Sequence, residues 1–110
     1  MASTSLVAVT DEQLAAAREG HSCRAAHTVL GGHERALRQT VIALRAGQEL
    51  AEHESPDEAT LQVLRGAVRL VAGDEQWQGT EGDLVVIPPE RHSLHADEDS
   101  AVLLTVYSPR

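Results

Sequence analysis

Phenylalanine does not occur in this chain of 110 residues, and Trp77 and Tyr107 make aromatics only 2% of it. The core must therefore rest on Val, Leu, Ile and Ala. In a chain this short such a core covers a small share of the surface. Burial against a second copy would add to it, and a homodimer is expected on that ground. Cysteine is nearly absent. Cys23 stands alone, so no disulfide can form within the chain. With no CxxC partner it reads as a small packing residue. Long apolar runs are lacking too. The stretch Ser5-Leu6-Val7-Ala8-Val9 is too short for a signal h-region or a membrane span. The cytoplasm is the compartment expected from these absences. Basic residues are few: 9 Lys and Arg stand against 17 Asp and Glu, a formal charge of −8. An acidic surface repels phosphate backbones and anionic lipid, so neither nucleic acid nor a membrane is an expected partner.

The apolar fraction of 42% is that of an ordinary globular protein, and the length suits one domain. Residues 1–9 read as a tail or short edge strand. Thr10-Asp11-Glu12-Gln13 has the pattern of a capping box, and Leu14 to Arg18 favours a helix that Gly20 stops. From Cys23 onward the texture is that of strands. Cys23 to Leu30 can be a strand, Ala36 to Arg45 is rich in β-formers, and Glu49 to Glu54 could continue as a strand. Gly31-Gly32, Ala46-Gly47 and Ser55-Pro56-Asp57 separate them as turns. Leu61 to Leu64, Val68 to Val71, Gln76 to Gln78, Leu84 to Ile87, Ser93 to Ala96 and Ala101 to Tyr107 follow, again divided by turn residues. Many short strands at this spacing predict an all-β sandwich or barrel. Residues 1–35 are read as a tail, short helix and edge strand packing on a barrel formed by 36–110.

Two segments carry a family resemblance. Gly47 is followed after five residues by His53, then by a turn and by Gly66. Downstream, Gly82-Asp83-Leu84-Val85-Val86-Ile87-Pro88-Pro89 leads to further histidines. Together they resemble the paired motifs of the cupin superfamily, in its small single-domain RmlC-like form. The resemblance covers about residues 36–107. It implies a double-stranded β-helix, or jelly-roll barrel, with histidines at strand ends projecting into the barrel mouth. Glycine permits the tight turns, and the proline pair ends a strand because proline cannot donate to a ladder.

The same resemblance implies a metal held by two His and a Glu from the first motif and one His from the second. Carried over without gaps, these positions fall on His53, Ser55, Ala59 and Ser93. One ligand of four survives. A transition-metal site needs about three protein ligands, so the usual site is not expected to assemble. Two other registers stay open. A one-residue deletion in the Glu90-Arg91 turn brings His92 into place, and His95 shares the parity of Ser93. His53 with His92 or His95 and one carboxylate, Glu49 for instance, would make a two-His-one-carboxylate site for Zn, Fe, Mn or Ni.

Counting by twos gives an inward lining of His53, Ser55, Ala59, Leu61, Val63, Ser93 and His95. Small residues in place of metal ligands open space for a modest organic molecule whose polar end meets an imidazole. Three readings follow: a small-molecule-binding cupin with its metal site largely lost, a divergent metal-dependent dioxygenase or isomerase, and an interaction module with a filled barrel. No Ser-His-Asp order is seen in the sequence.

Overall fold

A computed structural model describes residues 1–53 and 58–109, except for the side chains of Glu52 and His53. Within these residues the chain forms α1 (Leu6–Glu19), β1 (Arg24–Leu30), β2 (Leu37–Leu44), β3 (Glu49–His53) and β4 (Glu58–Arg65). β5 (Ala67–Ala72), β6 (Glu75–Thr80), β7 (Leu84–Val86), β8 (His92–Ala96) and β9 (Ser100–Tyr107) complete it. All strand pairings are antiparallel. One sheet has the order β1-β2-β9-β4-β7 and the other β3-β8-β5-β6. Chain neighbours such as β3 and β4 lie in different sheets, which gives the jelly-roll barrel that the motifs imply.

Alternation along the strands builds the core. β4 buries Ala59, Leu61 and Val63 and leaves Glu58 exposed. β5 buries Val68, Leu70 and Ala72, and β8 buries His92, Leu94 and Ala96. These inward sets, Ala72 and His92 aside, meet Leu44, Ile87 and Val102 in one aliphatic cluster between the sheets. Each fully buried Leu, Ile or Val contributes about 1.5–3 kcal/mol of transfer free energy, which replaces what aromatics would supply elsewhere. Trp77 packs against the same cluster. Its ring lies over Gly79, two residues along the same strand, where any Cβ would collide with it.

The helix differs from the sequence reading. It runs over Leu6–Glu19, and Ser5, not Thr10, is its N-cap, with the Ser5 hydroxyl accepting from the Ala8 N–H at 3.2 Å. Thr10 is buried within it at 2% exposure. The cause is tertiary. Val9 packs on Val41 and Leu103, with Leu6 and Val29 beside them, and Leu14 and Ala17 pack on Ala43 and Ala101. The helix thus covers the outer face of the five-stranded sheet, and the first turn is held by contacts that local propensity cannot see. Cys23 follows in a left-handed turn, φ 60°, just before β1.

Candidate functional site

The family's site would lie at one end of the barrel, where β3, β7 and β9 finish and β4 and β8 begin. Backbone pairing assembles this end. His53 stands opposite His92, and Ala59 stands opposite Val106. The Ile87 N–H donates to the Ala59 carbonyl at 3.0 Å just before Pro88 and Pro89 interrupt the strand. Ser55 lies outside the described residues, as does the side chain of His53.

His92 is the inward imidazole of β8. It is 3% exposed, and its Nδ1 lies 3.0 Å from the Glu90 carbonyl oxygen. A carbonyl only accepts, so Nδ1 carries a proton. With Ile42, Leu50, Leu61, Leu70, Ile87, Leu94 and Leu104, His92 lines a void of about 30 Å³. That holds about one water molecule. Among the described residues, aliphatic side chains pack closely around this void. Leu61 borders this small void; Val63 is buried at 0% exposure in the core.

Ser93 and His95 are corrected in direction. Leu94 pairs with both Leu50 and Leu70 in the core, so the residues on either side of it face outward. The gapless count overshot the turn after Pro89 by one residue, and a one-residue slip moves every side chain to the opposite face. On that outer face Ser93 Oγ lies 3.0 Å from His95 Nε2, and His95 Nδ1 lies 3.1 Å from Glu49 Oε2. Glu49 is opposite His95 across the β3–β8 ladder, which takes it away from the barrel interior as well. The sequence reading missed this chain of three. The Ser-x-His spacing on a strand was its only local signal, because Glu49 joins through register.

Larger hollows open at the rim. A depression of about 480 Å³ is lined by Glu58, Ala59, Thr60, Val86, Ile87, Pro89, Thr105 and Tyr107. Of the expected lining it contains Ala59, the position of the family's Glu. Thr60, Thr105 and Tyr107 were not foreseen, since β4 and β9 lie far apart in sequence and only their pairing joins them. Ile87 is the wall shared with the void beside His92. A second depression, about 330 Å³, lies beside Leu70, Trp77, Val85 and Pro88.

The described side chains do not by themselves make up a transition-metal donor set. Among the described residues no three His, Cys, Asp or Glu gather to hold an ion. At the barrel end His92 is buried with its Nδ1 on the Glu90 carbonyl, Ala59 offers no donor, and His95 and Glu49 face the other way. A transition-metal site takes about three protein ligands; the side chain of His53, the first-motif candidate, lies outside the described residues.

Residues 40–107 match the Cupin domain family, and the chain belongs to it. No curated protein matches. Among solved structures, a conserved protein of unknown function from Streptococcus pyogenes is 29% identical over 83% of this chain and 79% of its own, with a TM-score of 0.72. An RmlC-like cupin from Desulfovibrio desulfuricans is 24% identical, covers 100% of this chain and 99% of its own, and has a TM-score of 0.74. A mutant of salicylate 1,2-dioxygenase from Pseudoaminobacter salicylatoxidans is 26% identical over 90% of this chain, with a TM-score of 0.73; the match spans 32% of that enzyme. No helix here is long and apolar enough to cross a membrane among the described residues.

Proposed function

We propose that this cupin binds a small organic molecule at the rim of its barrel. The observation that carries the reading is the depression of about 480 Å³ walled by Ala59, Val86, Ile87, Pro89 and the Tyr107 ring. That volume is in the range of small-molecule sites, about 300–1,000 Å³. Its walls are mainly apolar, while Glu58, Thr60, Thr105 and Tyr107 supply the polar groups. This mix suits a ligand with an apolar body and one hydrogen-bonding head. Alanine at position 59, where the family has its Glu, leaves space where a ligand of the metal would otherwise stand.

Two-dimensional amide spectra with a panel of small carboxylic acids, phenols and amides test the reading. At least one compound is expected to move the signals of Thr60, Ile87 and Tyr107 together, and Tyr107→Ala is expected to weaken it about tenfold, the loss of one good contact of about 1.4 kcal/mol. Silence of these signals across the panel would sink the proposal.

The likeness to a dioxygenase keeps a divergent metal-dependent enzyme as the second reading. Elemental analysis of protein produced with added Zn, Fe, Mn and Ni separates the two. Our reading expects less than about one metal atom per ten chains, since Ala59 and the outward Ser93 stand where the resemblance places two of the ligands. Stoichiometric metal that survives dialysis, and is lost in His92→Ala, would favour the enzyme.

A further inference from the structure

We propose that Ser93, His95 and Glu49 form a nucleophile–base–carboxylate relay on the outer face of the four-stranded sheet, competent to take an acyl group from a small activated ester. With a neutral ring, the acceptor-only carboxylate sets the direction of each hydrogen bond. An ionised carboxylate only accepts, so His95 Nδ1 carries a proton and donates it to Glu49 Oε2 at 3.1 Å. The neutral ring then has its lone pair at Nε2. Ser93 Oγ, 3.0 Å away, donates to that nitrogen. This is the order of roles that activates a serine: a base within hydrogen-bond reach of the hydroxyl, and a third group that holds the base in the right tautomer.

The three residues are held by the ladder. β8 is an interior strand, paired with β3 on one side and β5 on the other. Ser93 and His95 are two residues apart and so share a face, and Glu49 is directly opposite His95. Arg69 is opposite His95 on β5, but its Nε donates to Asp97 at 2.9 and 3.2 Å. Val71 is opposite Ser93 and gives the hydroxyl an apolar neighbour. His95 keeps 25% of its side chain exposed and Glu49 58%, so the relay is open to solvent. It lies on the face opposite His92 and owes nothing to the rim site.

In the step proposed, Ser93 Oγ attacks the acyl carbon and its proton passes to His95 Nε2. The bond to the leaving oxygen breaks, and that oxygen takes the proton from His95. Water then attacks the acyl-serine, giving its proton through His95 to Ser93 Oγ as the carboxylic acid leaves. Ester and water become acid and alcohol. An open sheet face has no walls to enclose a peptide or a long chain. The substrate class is accordingly small esters with good leaving groups.

The test uses a fluorophosphonate, whose phosphorus is attacked in the same way with loss of fluoride, on the intact chain. Digestion and mass spectrometry are expected to place the adduct on Ser93. His95→Gln is expected to slow labelling at least about tenfold, in the range lost with a general base. Glu49 is a positioning residue. Glu49→Gln keeps a hydrogen-bonding side chain but loses the charge, so a structural role would leave labelling unchanged, whereas the relay predicts a drop of about tenfold. Imidazole 15N shifts are expected to report the Nδ1–H tautomer of His95 in the native chain and a mixture in Glu49→Gln. Thermal melts of each variant establish that the barrel remains folded. No adduct on Ser93, or labelling of Ser93 as fast in folded His95→Gln as in the native chain, overturns the proposal.

Discussion

Gly66 shows how a single residue links the family spacing to physics. It has φ +89°, and a Cβ there would stand 2.5 Å from the Asp99 carbonyl oxygen and against the Ser100 hydroxyl. The turn between β4 and β5 can approach the β8–β9 turn only because that Cβ is missing. Ser100 is 1% exposed and uses its hydroxyl on both turns: it accepts from the Ala67 N–H at 3.1 Å and donates to the Glu98 carbonyl at 2.7 Å. Gly66→Ala is expected to destabilise the chain by about 2–4 kcal/mol, a backbone penalty plus a steric one. Urea unfolding measures it, and a loss below about 0.5 kcal/mol, the scale of a neutral surface change, would show that the turns can separate cheaply. Gly66 was legible in the sequence because its spacing from His53 is a matter of chain length alone.

At the scale of elements, sequence fared unevenly, and the reason is the same each time. Each strand expected from Cys23 onward has its counterpart, because a run such as Leu84 to Val86 carries its own signal, whereas the edge strand considered for residues 1–9 is a tail and the start of the helix. Phase was harder. The inward set on β4 could be counted, but that on β8 depended on the length of the turn after Pro89, where one residue decides which face His95 takes. The helix start was misplaced because Ser5 and Thr10 have the same capping chemistry and only burial distinguishes them. That argument makes a prediction. Ser5→Ala removes the N-cap and is expected to cost about 1 kcal/mol. Leu14→Ala, at 1% exposure under the helix, is expected to cost about 3 kcal/mol through lost burial and a residual cavity. If both melted like the native chain, the helix would be an ornament on the barrel and not part of its fold.

Across the whole molecule, Asp99 links parts that are distant in sequence. Its Oδ1 accepts from the Ala46 N–H at 2.8 Å, and its Oδ2 from Arg18 Nε at 2.9 Å. The helix, the β2–β3 turn and the β8–β9 turn therefore meet on one carboxylate. The Ala46 hydrogen bond first, then the bond and charge of Arg18, hold its carboxyl below the ordinary value of 3.8. Because the folded state lowers that value, the stabilisation is complete above it and disappears as pH falls through the lower folded one. Thermal melts of the native chain and Asp99→Asn are expected to differ by about 1 kcal/mol at pH 7, a figure already reduced for exposure. The gap should shrink below pH 3.8. A gap independent of pH would assign the effect to shape instead of charge.

The amino-acid order alone determined the all-β class, the number of strands after the helix, the glycine and proline punctuation and the membership those motifs imply. These depend on local propensity and on distances along the chain. Only the tertiary structure decided that His92 looks into the barrel, that Ser93 and His95 meet Glu49 outside it, and that the hollow forms at the rim between β4, β7 and β9. Those facts depend on register between strands that are remote in sequence, and register is set by how the sheets close on a common core, which no single stretch of chain contains.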